Sequence, residues 1–180
     1  EAYTAVDRLD TPATPEHPAS ERQRQDQVRS PFNLNAPTEL YGDLQQIHIL
    51  ACGTSWHAGL VGKYLLEQIA QAPTTVHYAS EYRYAPTPLT PHTLTIGVTQ
   101  SGEPSDTLSA LASERDRRAD HPDPAYKAYL VGITNRPENT ISRVADYLIP
   151  THAGIEIGVA ATKTFIAQLM SFYALKNDIA

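Results

Sequence analysis

Beyond residue 44 the apolar positions alternate between short continuous runs and a three-to-four-residue period, and each change of pattern marks an element. Gln46-Ile-His-Ile-Leu-Ala51 reads as a short strand. From Ser55 to about Gln71, Ala58, Val61, Leu65 and Ile69 recur at helical spacing, which predicts a helix laying that stripe on a sheet. Ser55 is placed to cap it, and Gly59 and Gly62 permit a close neighbour. Thr75 to Tyr78 is a second strand, and the proline-rich loop from Ala85 to Pro91 leads to a β-branched run at Leu94 to Val98. A helix is expected next, with Pro104 at its first position, where proline's preset φ and missing N–H cost nothing.

That helix carries Leu108, Leu111 and Ala112, and its charged end, Glu114 to Arg118, reads as solvated. His121-Pro-Asp-Pro124 breaks it. Ala128 to Thr134 and Asp146 to Pro150 are two further strands, with a short helix from Asn139 to Val144 between them. The last helix, from about Val159, is apolar on most sides (Phe165, Ile166, Leu169, Met170, Phe172, Leu175), the pattern of a buried helix.

Strands alternating with helices at this spacing predict an α/β fold, a three-layer αβα sandwich on a five-stranded parallel sheet of flavodoxin-like type. Ligands of such sheets bind beyond the carboxyl ends of the strands. Three turns rich in glycine or hydroxyls, at 52–55, 99–103 and 151–158, fall at that edge, and one pocket can draw on all three. Thr99 and Ser101, beside the start of a helix, make a natural anion site. The same small polar residues also serve an ordinary strand-to-helix turn.

Composition changes this picture at one end only. Residues 1–39 are rich in Pro, Thr, Gln, Glu and Arg, with too few large aliphatic side chains to offset the entropy of ordering. They are expected to be a disordered linker or extension, with one globular domain over 40–180. A net charge of -6 argues against capture of nucleic acid by a basic face, so any anion must be held locally. A single cysteine, Cys52, rules out an internal disulfide framework and suits a reducing cytoplasm. No run approaches the roughly 20 apolar residues that span a membrane.

Near the expected pocket the titratable residues are His57, His152, Glu103, Glu156 and Lys163. Each reads more simply as structural. Glu103 suits a helix start, Lys163 a pairing with Glu156 or contact with a ligand, and His57 the packing of the first helix. Cys52 reads as an inert buried thiol, since no basic partner accompanies it. No catalytic residue is assigned. Metal-ligand spacing is absent, as are G-x-G-x-x-G and G-K-[ST] signatures, so no metal, NAD or ATP is expected.

Cys52-Gly-Thr-Ser55, Thr99-Gln-Ser-Gly-Glu103 and His152-Ala-Gly-Ile-Glu-Ile-Gly-Val-Ala-Ala-Thr-Lys163 occur in order, with Ala79-Ser-Glu-Tyr-Arg-Tyr84 between them. Together they closely resemble the first sugar isomerase (SIS) domain of the isomerising glutamine–fructose-6-phosphate aminotransferases, over about residues 44–176. That family makes glucosamine 6-phosphate and glutamate from fructose 6-phosphate and glutamine, in amino-sugar biosynthesis. The resemblance implies that Thr54, Ser55, Thr99, Gln100 and Ser101 contact the sugar phosphate. It implies that Val159 and Ala161 line the sugar through their backbone.

Three positions depart from the family pattern: Pro104 replaces a threonine, Thr99 a serine and Ala161 a serine. Weakened phosphate binding is expected, at about 0.5–1.5 kcal/mol per lost neutral hydrogen bond. The family also has an N-terminal glutaminase domain and a second SIS domain that supplies catalytic groups, and its members dimerise. Starting at Glu1 and stopping at Ala180 without a clear C-cap, the chain is expected to be a fragment, inactive alone. Two alternatives remain: a stand-alone module that senses a phosphosugar, as in a transcriptional regulator, and a small complete phosphosugar isomerase.

Overall fold

The computed structural model describes residues 43–158 and 160–179. The 1–39 extension and Val159 lie outside the described residues. Five apolar runs become strands: β1 (Gln46–Ala51), β2 (Thr74–Tyr78), β3 (Thr93–Thr99), β4 (Tyr129–Thr134) and β5 (Tyr147–Pro150). The helices are α1 (Gly53–Gln68), α2 (Ala79–Tyr82), α3 (Ser105–Ala119), α4 (Ile141–Val144) and α5 (Lys163–Ile179), with a 3-10 turn at Pro124–Tyr126. All strand pairs are parallel, in the order β2-β1-β3-β4-β5. This is the doubly wound flavodoxin-like order, whose winding reverses between β1 and β3.

Both sheet faces are covered, so every residue of β3 is buried. On one face Ile47, Ile49, Leu94, Ile96 and Val98 meet α1 and α5. On the other, Leu50 and Leu130 meet α2, α3 and α4 through Tyr82, Leu111 and Ile141. Full burial of each large aliphatic side chain contributes about 1.5–3 kcal/mol, before conformational entropy is set against it. α1 and α5 pack closely because Gly62 has no side chain: a Cβ there would lie 2.5 Å from the Phe172 ring.

Local details differ from the sequence reading. α1 begins two residues early, with Cys52 at the N-cap and Ser55 already inside and buried. Its inward face is Ser55, Ala58, Gly59, Gly62 and Leu66, whereas Val61 and Ile69 are exposed. Close approach selects the small stripe over the larger aliphatic one. Pro104 is the N-cap of α3, not its first helical residue. α5 starts at Lys163, later than expected, and buries one face only: Thr164, Ala167, Gln168, Ser171, Phe172 and Leu175 point inward while Ile166 and Tyr173 are exposed.

The largest difference lies in Glu114 to Arg118. Instead of a solvated end, Glu114 is 0% and Arg118 3% exposed. α2 and the loop after it close over this end of α3. Glu114 accepts from Tyr82 Oη at 2.9 Å, Arg117 Nη1 at 3.0 Å and Arg118 Nε at 2.6 Å. The two guanidinium groups also donate to the carbonyls of Thr87 and Thr90. Burying a charge is tolerable when its partners come with it, and here the carboxylate has three donors while Arg118 Nη2 alone is left without an acceptor.

Candidate functional site

β1 and β3 end side by side, and the chain leaves them toward opposite faces of the sheet, which opens a crevice at their carboxyl ends. Each strand runs directly into a turn and a helix start. Cys52 follows β1, and Gly53 takes φ +57, a left-handed conformation that favours glycine. After β3 the turn closes on Gly102 at φ +73, where a Cβ would lie 2.8 Å from the Arg136 carbonyl oxygen. These two turns, with Gly158 and Ala161 from the segment after β5, line a cavity of about 230 Å³.

Its polar lining comes from Thr54, Ser55, Thr99, Gln100, Ser101 and Thr107. Two of the hydroxyls accept from backbone: Thr99 Oγ1 from the Gly102 N–H at 3.3 Å, and Ser101 Oγ from the Glu103 N–H at 3.2 Å. Ser55 Oγ accepts from Gln168 Nε2 at 3.0 Å. In each case the accepting oxygen keeps its own hydrogen available to donate. Neither α1 nor α3 has a side-chain cap at its start. The first N–H groups of a helix have no intrahelical acceptor, so both helices direct unsatisfied donors and positive dipole ends at this edge. Among the described residues no charged side chain lines the cavity. The site is a neutral donor cradle, suited to hold an anion through hydrogen bonds alone.

Six of the seven residues assigned from the sequence thus meet at one cavity: Thr54, Ser55, Thr99, Gln100, Ser101 and Ala161. The seventh, Val159, lies outside the described residues. Cys52, read as buried, is half-buried and lines the same cavity.

The titratable candidates are elsewhere. His57 is exposed, and its Nδ1 donates to the Gly53 carbonyl at 3.0 Å rather than packing inward. His152 is exposed with φ +49. Glu103 does not serve its own helix: it accepts from the N–H and hydroxyl of Thr140 at 2.8 Å each, and so caps α4. Those bonds, the backbone one first, hold its carboxyl below the usual range. Glu156 accepts from the N–H groups of Thr162 and Thr164, both at 3.1 Å, at the start of α5. Its carboxyl is held low by the Thr164 N–H first and also by the charge of Lys163, the partner expected from sequence.

Two groups escaped the sequence reading. Thr107 Oγ1 is buried at the pocket wall without a hydrogen-bond partner. Its position one turn into α3, on the face of the buried Ala110 and Leu111, was the available signal. Gln168, 113 residues from Ser55, carried no local signal at all.

A doubly wound α/β domain with a cavity of neutral hydrogen-bonding groups at its winding reversal is the class that fold and site define. The SIS domain family model matches residues 41–177, and the chain belongs to that family. It is 65% identical over 151 residues to the isomerising glutamine–fructose-6-phosphate aminotransferase of Synechocystis sp., covering 84% of this chain and 24% of the relative. The enzyme of the same name from Thermosynechococcus vestitus is 64% identical over 151 residues, with the same coverage. Among solved structures, the C-terminal domain of glucosamine-fructose-6-phosphate aminotransferase from Francisella tularensis superposes with a TM-score of 0.76 at 29% identity. That match covers 99% of this chain and 43% of the other. The chain therefore spans about a quarter of the length of these curated relatives.

Proposed function

We propose that the cavity between β1 and β3 holds the phosphate of a sugar phosphate, and that the chain is the phosphosugar-binding SIS domain of an isomerising glutamine–fructose-6-phosphate aminotransferase. One observation carries the reading: two uncapped helix starts and the hydroxyls of Ser55, Thr99 and Ser101 converge on a cavity that no charged side chain among the described residues lines. Thr54 and Gln100 complete the phosphate's donors, and the backbone of Val159 and Ala161 borders the sugar. The high identity to two aminotransferases supports fructose 6-phosphate as the substrate.

With neither carboxylate nor imidazole on its wall among the described residues, the cavity is read as binding and orienting rather than moving protons. Ring opening and proton transfer between C1 and C2 need an acid and a base. In this reading those groups, and the ammonia released from glutamine, come from the rest of a longer cytoplasmic, homodimeric enzyme. Among the described residues no helix is long and apolar enough to cross a membrane.

Titrating fructose 6-phosphate into the 180-residue chain tests the site, with unphosphorylated fructose as control. A hydrogen bond to a charged group contributes about 1.5–3 kcal/mol, so Ser101→Ala is expected to weaken binding by roughly tenfold or more. Equal affinity of parent and variant, or equal affinity for fructose, would remove the phosphate assignment.

A further inference from the structure

Ser55 sits at the floor of the cradle, 6% exposed, and its hydroxyl is the one whose direction is set from outside the two turns. The amide of Gln168, on α5, donates to it through Nε2 at 3.0 Å. Gln168 is itself 1% exposed, and its Oε1 is buried without a partner. An amide in an interior normally satisfies both ends, and leaving the carbonyl unpaired is unfavourable. Here that cost falls where the other end of the amide meets a residue lining the cavity.

The two ends of the amide have opposite effects on Ser55. A hydroxyl has one hydrogen and two lone pairs. With Nε2 toward it, Oγ accepts and its hydrogen is left for the cavity. With Oε1 toward it, the hydroxyl would give its hydrogen to Gln168 and offer an anion only lone pairs. We infer that Gln168 is a positioning residue: its amide fixes Ser55 as a donor into the anion cradle. This rests on the phosphate reading of that cavity.

The placement of α5 supports this role. Glu156 holds the start of the helix through Thr162 and Thr164. Just before that start, Gly158 and Ala161 form the third wall of the cavity. One turn and more further on, Gln168 reaches Ser55 across the contact between α5 and α1. The segment leading into the last helix thus borders the cavity, and the helix itself orients one of its donors. A ligand oxygen that takes the Ser55 hydrogen would polarise the Gln168 N–H in turn, because hydrogen bonds in a chain strengthen one another.

The test is a double-mutant cycle on fructose 6-phosphate affinity in the 180-residue chain, with urea unfolding of each variant alongside. Gln168→Met keeps the length and removes the amide, and is expected to weaken binding about five- to tenfold without lowering the unfolding midpoint. In a Ser55→Ala background the same change is expected to have no further effect, whereas a purely structural role would add its full loss again. Gln168→Glu, when ionised, can only accept at Ser55, and at high pH is expected to bind more weakly than Gln168→Met. Native affinity in Gln168→Met, or full additivity with Ser55→Ala, overturns the inference while loss in Ser101→Ala keeps the cavity reading intact. Native affinity in both Ser55→Ala and Ser101→Ala would instead remove the reading beneath it. Should the Gln168 variants fail to fold, the side-chain amide signals of Gln168 in the unmodified chain decide. They are expected to shift on titration with fructose 6-phosphate, and fixed signals at saturation overturn the inference.

Discussion

The two ends of α3 handle polar groups in opposite ways. At its start, Thr99, Ser101 and Thr107 surround an open cavity, and the first N–H groups have no cap. At its other end, Glu114, Arg117, Arg118 and Tyr82 are charged or strongly polar, yet they bond one another and the loop carbonyls, with Arg118 Nη2 alone among their buried side-chain polar atoms left without a partner. The neutral end is the unfinished one. Helix-start N–H groups and hydroxyl hydrogens left free at a cavity, rather than charge, point to a ligand, because an ion cluster bonded mostly to itself has less left to offer one. Charge alone would have led to the wrong end of the helix.

The sharpest way to break the contrast is to open the closed end. Glu114→Ala leaves Arg118 buried without its carboxylate and removes the acceptor of Tyr82 and Arg117. Removing one partner of a buried pair costs about 3–5 kcal/mol, which urea unfolding would register as a large drop in midpoint. Ser101→Ala at the open end is expected to alter stability by less than about 1 kcal/mol. If Glu114→Ala cost no more than Ser101→Ala, the cluster would be a surface network and the distinction between the two ends would fail.

A second, smaller effect concerns what the cluster touches. His48 is 4% exposed on β1, with Nδ1 bonded to Thr75 Oγ1 at 2.8 Å and His77 Nε2 at 3.2 Å from the same nitrogen. Burial first, then the charge of His77, push its pKa from 6.5 down to about 4, although Glu114 opposes the shift. Burial lowers His77 as well. The folded state therefore favours neutral imidazole. Between pH 6.5 and about 4 the unfolded chain binds more protons, so stability falls as pH falls through that window. The loss at its lower end is on the order of 3 kcal/mol for His48, and His77 adds to it. Glu103 and Glu156, held low, contribute stability that is lost only below their ordinary value of 4.5. Unfolding measured from pH 7 to 5 isolates the histidines. A flat profile there, or the same slope in His48→Asn, would contradict this account.

The parallel sheet and the pocket edge were legible because both follow from periodicity and turn chemistry. Runs of β-branched residues, each ending in glycine and hydroxyls, lead to a parallel sheet with those turns at its carboxyl edge. Legibility failed where a residue's environment is set by something distant. Glu114 to Arg118 looks solvated in sequence because charged residues usually are, and only the loop that folds back over α3 buries it. Val61 and Ile69 have the right spacing but lie on the wrong side of α1, since Gly59 and Gly62 admit the neighbours instead. Gln168 reads as one polar residue in an apolar helix, and its partner is 113 residues away.

The smallest expected effect tests the open end directly. Pro104 caps α3 with φ -60 and ψ 118, makes no side-chain cap and lines the cavity. Threonine tolerates that extended backbone, and its hydroxyl can accept from an N–H of the first turn, worth about 0.5–2 kcal/mol to the helix. The same hydroxyl keeps its hydrogen for an anion, and the restored N–H adds a second donor. Pro104→Thr is therefore expected to raise the unfolding midpoint slightly and tighten fructose 6-phosphate binding about three- to tenfold, or 0.5–1.5 kcal/mol. The two readouts separate the roles of this end of the helix. Gain in both means that the donors at the start of α3 face a bound phosphate. Gain in stability alone means that the new hydroxyl caps the helix and nothing else, and that the phosphate is held from the β1 side of the cavity.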